Sequence, residues 1–424
     1  MTVGFLHIGD PEHGVTRYGR VVARGVAKHT RLTVRHATTG QLQNGRGGIR
    51  QVRDAAAALS AADVVHVQYN ERVWGGPLRA PFTVRAFADA CRAPWVATLH
   101  DVRDGYDLRS IVRRLVAQRT SSAATSARDT EDARSTEDNV GGFLRCLSER
   151  LSIGEIASAA RKALRYLARE AANAWATRRV MQHAAQVLVC TREEARRLQA
   201  FGGRRDAARV DVIPHFVEPR PPLPDRAAAK HRLGLQGRRV ASVLGFIHRR
   251  KGHDFVVNAL PHLPPDVTVL FIGRAGRKDD GFLDALRTQA EALGVTDRLR
   301  ITGYVPDGVL DDYLAATDVA VCPFREASAS GSLSTWIAAG PPLVTSDVPL
   351  FAEYNALVPG TLQTVEVSCA SALATAIQTA LCADPADEHR HDALRRRLSL
   401  ASVATQHARC YRRLAPLGAS ALPE

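Results

Sequence analysis

Two short stretches of this 424-residue chain bring together residue types that suit an anion. The first is the Ser/Gly-rich turn Ser328–Ser334, inside TDVAVCPFREASASGSLSTWIAAGPPLVTSD. Val319–Cys322 reads as an apolar strand, Arg325 and Glu326 lie in the polar loop after it, and a short helix follows the turn and ends at Gly340. A further strand is expected over Pro342–Ser346. A helix start of this composition presents free backbone N–H groups and a positive dipole end, which favours a phosphate. The second stretch, GFIHRRKG, sets Gly245, Arg249, Arg250 and Lys251 between the strand Val240–Leu244 and the next helix. Cations at such a turn suit a di- or triphosphate. Lysine occurs only at positions 28, 162, 230, 251 and 278, so Lys251 is a scarce residue type in a chemically useful place. Two further strand ends carry imidazoles: His66 with Gln68 in DVVHVQYNE, and His100–Asp101 in WVATLHD. Polar groups at strand ends that face a cleft are candidates for substrate contact.

The elements that must position these residues form two series. Val3–Ile8, Leu32–His36, Val64–Tyr69, Trp95–His100 and Val187–Cys190 are short, β-branched and apolar, with helical patterns between them, the first over Val15–Ala27. Such runs read as buried parallel strands of an open α/β sheet. Pro214–Arg226 holds five prolines and no periodicity, a linker signal. Beyond it come Arg239–Leu244, Thr268–Ile272, Leu299–Thr302, Val319–Cys322 and Pro342–Ser346, again as strands. The expected organisation is an N-terminal Rossmann-like domain over 1–213, a linker over 214–226, a second Rossmann-like domain over 227–393, and a C-terminal helix and tail over 394–424. Leu394–Leu414 reads as one basic amphipathic helix. Regularity breaks over 104–180, where Thr120–Asn139 reads as a surface loop and Phe143–Leu151 and Ile156–His183 as helical stretches of an insertion. Ligands of facing α/β sheets bind outside the carboxyl ends of the strands.

Composition narrows the classes. Apolar content of 45% and charged content of 24% fit an ordinary globular chain. No apolar run approaches the roughly 20 residues of a bilayer span, and MTVGFLHIGDPEHG lacks the pattern of a signal peptide. Seven cysteines without a CxxC pair suit a reducing cytoplasm better than a disulfide framework or a zinc site. The net charge of +14 points to an anionic partner. With no zinc-finger, RNA-recognition or helix-turn-helix signature, nucleic acid is not expected, while weak attraction to an anionic membrane face stays open. The Arg-for-Lys bias with abundant alanine also fits GC-rich codon choice.

GFIHRRKG, TVLFIGRAG, ITGYVPDGVLDDYLAATDVAVCPF and SGSLSTWIAAGPPLVTSD, in that order, resemble the C-terminal half of GT-B glycosyltransferases of the GT4 family, and DVIPHFVEP is similar to their interdomain segment. The resemblance covers most of Val187–Asp347. It implies an α/β GT-B fold, with two Rossmann-like domains facing across a cleft and a C-terminal crossover helix. It also implies retaining, metal-independent transfer of a hexose-type sugar from an NDP-sugar, UDP-sugar favoured, to a hydroxyl acceptor. No cofactor is expected beyond the donor. The acceptor would be a small polar molecule, a glycan or a lipid-linked group, in the cytoplasm or at the inner membrane face, with antibiotic or cell-envelope glycosylation as settings.

The same resemblance assigns roles. Lys251, helped by Arg249 or Arg250, would neutralise the β-phosphate, and the backbone at Ser330, Gly331, Ser332 and Leu333 would hold the diphosphate. Glu326 would be the first carboxylate of the family's E-x7-E pattern, and Thr335 falls where the second, a ribose ligand, is usual. Tyr304 and Val305 would lie beside the nucleobase, Gly14 after His13 would approach the diphosphate, and His100 would contact the donor sugar. His100, Lys251 and Glu326 form the expected catalytic set, with no metal ligand. The chain departs from the family at Thr335, at Phe246 in place of a usual arginine, and in the one-residue offset of Glu326. The missing second glutamate at Thr335 is the best support for a second reading, a non-catalytic GT-B partner that binds a nucleotide sugar or glycan or activates a companion transferase.

Overall fold

Strands covered by helices on both faces are mostly apolar rather than alternating, and the inner strands of this protein follow that rule, with polar exceptions such as His66 and Gln68. A computed structural model describes residues 1–11, 13–103, 153–276, 279–327, 329–382 and 388–415. The first sheet is built from β1 (Thr2–Ile8), β2 (Thr33–Thr39), β3 (Val64–Tyr69), β4 (Trp95–Leu99), β5 (Gln186–Val189) and β6 (Val210–Val212), in the order β2-β1-β3-β4-β5-β6. Its pairings are parallel throughout. The second sheet contains β7 (Arg239–Leu244), β8 (Val267–Ile272), β9 (Leu299–Ile301), β10 (Val319–Cys322), β11 (Leu343–Ser346) and β12 (Leu362–Val365), in the order β12-β11-β10-β7-β8-β9 and also parallel. Every residue of β3, β4 and β8 is buried.

Two strands escape the sequence reading. β6 and β12 lie at sheet edges, and their sequences, VDV and LQTV, are too short and too polar to stand out as apolar runs. The expected loop Thr120–Asn139 and helical stretch Phe143–Leu151 lie outside the described residues. Ile153–His183 is a single helix, on which Trp175 meets Phe82 of the helix Ala80–Ala90 edge-on at 5.2 Å.

The basic helix expected over Leu394–Leu414 is two helices, Glu388–Arg397 and Leu400–Leu414. Ser399 breaks the run: its hydroxyl accepts from the N–H of Ser402 at 3.2 Å and so starts a new helix. The carbonyl of Leu398 accepts from the N–H of Val217 in the linker at 2.7 Å. The two pieces serve different domains. Leu394 joins the second-domain core, whereas Val403, Ala404, Ala408 and Tyr411 are buried with Val3, Val22 and Val26 of the first. Gly25 permits that crossing, because a Cβ there would lie 2.7 Å from Leu400 Cδ1.

The proline-rich linker is packed rather than free, with Phe216 and Val217 buried. Glu218 pairs with Arg17 at 3.0 Å and Arg24 at 3.4 Å, both on the helix Gly14–His29. Elsewhere the carboxylate of Glu353, on the helix Pro349–Leu357, accepts from the N–H groups of Arg192 and Glu193 at 2.7 and 3.0 Å. A second-domain side chain thereby caps a first-domain helix, Arg192–Phe201. Among the described residues no helix is long and apolar enough to cross a membrane.

Candidate functional site

β7 and β10 are neighbours in the second sheet, so the loops that leave their carboxyl ends emerge side by side. The loop after β7 turns through the 3-10 segment Arg249–Lys251 into Gly252, whose φ is +68°. A Cβ on Gly252 would lie 1.9 Å from the carbonyl oxygen of Pro323, so only glycine lets the two loops touch. This contact delivers Lys251 to the start of the helix Gly331–Ala339. Lys251 Nζ donates to Ser332 Oγ at 2.7 Å and stands 3.6 Å from the centre of the Phe324 ring. Ser330 caps the helix, its hydroxyl accepting from the N–H of Leu333 at 3.3 Å. The N–H groups of Gly331 and Ser332, at the first two helical positions, have no intrahelical partner.

An ammonium therefore stands at the positive end of a helix dipole. Burial, and secondarily the nearby Arg250, push the Lys251 pKa down to about 8. Two positive poles held together in a partly buried place suit an anion.

The other predicted second-domain residues are dispersed around this centre. The Arg249 guanidinium lies over Phe282 at 5.3 Å, and Arg250 is exposed, so of the three adjacent cations only Lys251 reaches the helix start. Glu326 is exposed, and no hydrogen bond or ion pair joins its side chain to the cradle among the described residues. The Thr335 hydroxyl donates to the carbonyl of Gly331 at 3.0 Å, within its own helix. Val305 packs against the core. Tyr304 is 71% exposed, and its ring lies 5.7 Å from the Arg274 guanidinium, which is also 6.0 Å from the ring of Phe246. These three side chains follow the carboxyl ends of β7, β8 and β9.

Arg325, read from sequence only as part of a polar loop, is the clamp of the cradle. Its guanidinium makes two bonds to the Asp254 carboxylate at 2.5 and 2.8 Å and donates to the carbonyl of Arg249 at 2.7 Å. It stacks 3.9 Å from the centre of the Phe255 ring, and its N–H donates to the carbonyl of Arg250 at 2.9 Å. Its partners lie some seventy positions away, so no local spacing announces it. Arg274, set against the rings of Phe246 and Tyr304, is likewise not singled out by any local spacing.

On the first domain, Gly14 opens the helix Gly14–His29, and the capping side chain is His13, whose Nδ1 accepts from the N–H of Val15 at 3.4 Å. His100 follows β4, with Nε2 2.9 Å from Gln68 Oε1 and its ring edge-on to Tyr18 at 4.9 Å. Tyr18 is in turn 5.1 Å from His215, whose Nδ1 lies 3.1 Å from the hydroxyl of Ser334, on the same helix as the cradle. This line of contacts brings His100 and the second-domain helix to one interdomain surface. Burial pushes the His100 pKa down to about 3 and that of His215 to about 4, so both rings are neutral. Asp101, directly after His100, has φ +61°, the one positive value at a non-glycine residue among the described positions. Asn70 Nδ2 donates to its carboxylate at 3.2 Å. Backbone strain of this kind is commonly held at functional sites. His66, expected beside the cleft, is instead fully buried.

Residues 238–383 match the family model described as Glycosyl transferases group 1. Among curated proteins, the chain is 32% identical over 173 residues to the D-inositol 3-phosphate glycosyltransferase of Xylanimonas cellulosilytica, covering 38% of this chain and 40% of that one. It is 30% identical over 187 residues to the 2-deoxystreptamine glucosyltransferase of Streptomyces kanamyceticus, covering 41% and 44%. The matches thus span less than half the length of these relatives. Among solved structures, HepE of Anabaena in complex with UDP superposes with a TM-score of 0.64 at 16% identity, covering 98% of this chain and 100% of that one. The sucrose-phosphate synthase of Thermosynechococcus elongatus gives 0.63 at 16% identity, covering 98% and 99%. At these identities the structural likeness is one of fold.

Proposed function

We propose that this chain, a GT-B protein whose second domain belongs to the glycosyl transferases group 1 family, is a retaining glycosyltransferase that moves a sugar from an NDP-sugar to a hydroxyl acceptor. The observation that carries this reading is the Lys251 ammonium 2.7 Å from Ser332 Oγ at a helix N-terminus. Charge develops on the departing diphosphate as the bond from the anomeric carbon to oxygen breaks, and fixed positive groups stabilise it where it forms. The acceptor oxygen then bonds to the anomeric carbon on the same face, and its proton passes to an oxygen of the leaving phosphate. In this mechanism the protein supplies no separate base. Its neutral imidazoles on the first-domain side suit contact with uncharged sugar hydroxyls.

UDP-sugar is the favoured donor, supported by the UDP-glucose complex of HepE. The inositol phosphate and 2-deoxystreptamine in the relatives' names favour a polyhydroxylated ring as acceptor. We further propose that turnover needs no metal and takes place in the cytoplasm.

The test is release of UDP from UDP-glucose without acceptor, run with and without a chelator. Slow release that is insensitive to chelator and lost in Lys251→Ala is expected. Donor binding with no release at any acceptor would instead mark a non-catalytic sugar-nucleotide partner. Loss of activity on chelation would overturn the metal-free mechanism.

A further inference from the structure

Behind His100, a continuous line of buried polar side chains runs to the last helix of the chain. Gln68 Oε1 lies 2.9 Å from His100 Nε2, and Gln68 Nε2 lies 3.3 Å from His66 Nε2. Thr98 Oγ1 meets the same His66 nitrogen at 2.8 Å. His66 Nδ1 is 2.7 Å from the Tyr411 hydroxyl, 345 positions away in sequence. His66 and Tyr411 are 0% exposed and Gln68 is 5% exposed.

With the Gln68 amide oxygen toward His100 and its nitrogen toward His66, the chemistry of each group gives this line a direction. An amide nitrogen only donates, so His66 Nε2 accepts, and the single proton of the neutral His66 ring sits on Nδ1, donating to Tyr411. An amide oxygen only accepts, so the His100 proton sits on Nε2. Burial keeps both rings neutral. The other His100 nitrogen, Nδ1, then carries a bare lone pair. Among the described residues it has no hydrogen-bond partner, and the half-buried ring leaves it accessible to solvent. The scaffold is shaped around the amide as well: a Cβ on Gly19 would lie 2.6 Å from Gln68 Cγ, so the first helix keeps a gap that this side chain fills.

We infer that Gln68, itself oriented by the His66–Tyr411 pair, is a positioning residue that fixes His100 as its Nε2–H tautomer and turns the bare Nδ1 toward a hydroxyl of the bound substrate. Docking of the helix Leu400–Leu414 thereby reaches the reaction side of the first domain. The inference rests on the transferase reading only for the identity of the group that meets Nδ1.

The test is a long-range proton–nitrogen correlation spectrum of the histidine rings in the ligand-free full chain, assigned with His100→Asn. The expected wild-type pattern has His100 protonated at Nε2. Gln68→Met, close in size but without the amide, should lose that preference and lower kcat roughly ten- to a hundredfold with little change in the KM for UDP-glucose. Gln68→Glu, which keeps an acceptor in place, should restore the tautomer. Tyr411→Phe removes one oxygen and should change the His66 nitrogen shifts, with a smaller drop in kcat; it serves as the readout should Gln68→Met fail to fold. A proton on His100 Nδ1 in the wild type would overturn the inference, as would His100 shifts unmoved in a folded Gln68→Met chain. The spectra need no turnover, so a wild type that never releases UDP sinks the transferase reading while the tautomer still decides this one.

Discussion

The two sides of the interdomain surface treat charge in opposite ways. On the second domain, the Lys251 ammonium is held at the positive end of the helix Gly331–Ala339, so unfavourable potentials are stacked together. On the first domain, burial strips charge away and leaves His66, His100 and His407 as neutral rings. The first arrangement suits a group that becomes more negative during reaction, and the second suits hydroxyls that stay neutral. Their construction differs too. The cradle is local, made from consecutive residues at two turns after neighbouring strands. The imidazole side is non-local, with Gln68 and His66 supplied by β3 and Tyr411 by the last helix.

The sharpest way to break this contrast is to remove the cation. Lys251→Met should lower turnover by roughly a thousandfold, the scale of losing a preorganised charge from a reaction site. It should raise rather than lower the unfolding midpoint near neutral pH, because the ammonium is itself held unfavourably. If Arg249→Ala or Arg250→Ala proved as damaging, the cradle would not be centred on Lys251. Next in size is Gly252→Ala. With φ at +68° and a Cβ only 1.9 Å from the Pro323 oxygen, it should cost about 3 kcal/mol of stability in denaturant unfolding. An unchanged midpoint would mean that the two loops do not touch.

The depressed Lys251 pKa adds a pH test with a defined sign. Its folded pKa of about 8 lies below the ordinary lysine value of 10.5, so its destabilising effect is fully present below about pH 8 and is relieved as pH rises toward 10.5. Stability should therefore gain from this residue across that interval, while kcat/KM falls above about pH 8 as the free protein loses the ammonium. Lys251→Met should abolish the stability rise. A wild-type pH profile identical to that of the variant would assign the loss to another group.

This contrast also explains what the sequence revealed. Gly245, Lys251 and Ser330–Leu333 stand in short contiguous motifs at strand–helix turns, so their residue types alone point to a candidate phosphate cradle. The two parallel sheets were visible for a similar reason: β3, β4 and β8 are buried throughout and read as largely apolar, β-branched runs. Edge strands β6 and β12 carry polar residues and gave no such signal. Arg325 and Tyr411 act through partners far away in sequence, and spacing cannot predict a contact over such separations. His66 looked like a cleft residue because its strand position was right. Burial by the last helix, which only the folded chain reveals, places it in the interior.

Arg325→Ala tests whether the cradle is as local as it looks. It removes the bonds to Asp254 and to the Arg249 carbonyl, so the Lys251 turn loses its clamp while Lys251 and the helix start Gly331–Ser332 are kept. A roughly tenfold fall in kcat is expected, with donor KM rising less, since small misplacements of a reacting group are costly. Arg325→Lys should not rescue it, because an ammonium cannot reproduce the paired, stacked geometry over Phe255. Full rescue by lysine would reduce Arg325 to a simple charge.

The smallest expected effect concerns the tie between the two sides. Glu353 accepts from the N–H groups of Arg192 and Glu193, and it supplements the Thr191 hydroxyl, which accepts from the N–H of Glu194 at 3.0 Å. Because Thr191 caps the helix already, Glu353→Ala should cost no more than about 1 kcal/mol in denaturant unfolding. Its larger consequence should be geometric, since the carboxylate is supplied by one domain and the helix by the other. Release of that tie should raise the KM for UDP-glucose about two- to threefold, a few tenths of a kcal/mol, with kcat little changed, because the cradle and the His100 side each keep their own internal supports. A collapse of kcat comparable to that of Lys251→Met would show instead that the two sides depend on this one carboxylate for their alignment, and the contrast between a local and a non-local half would no longer hold.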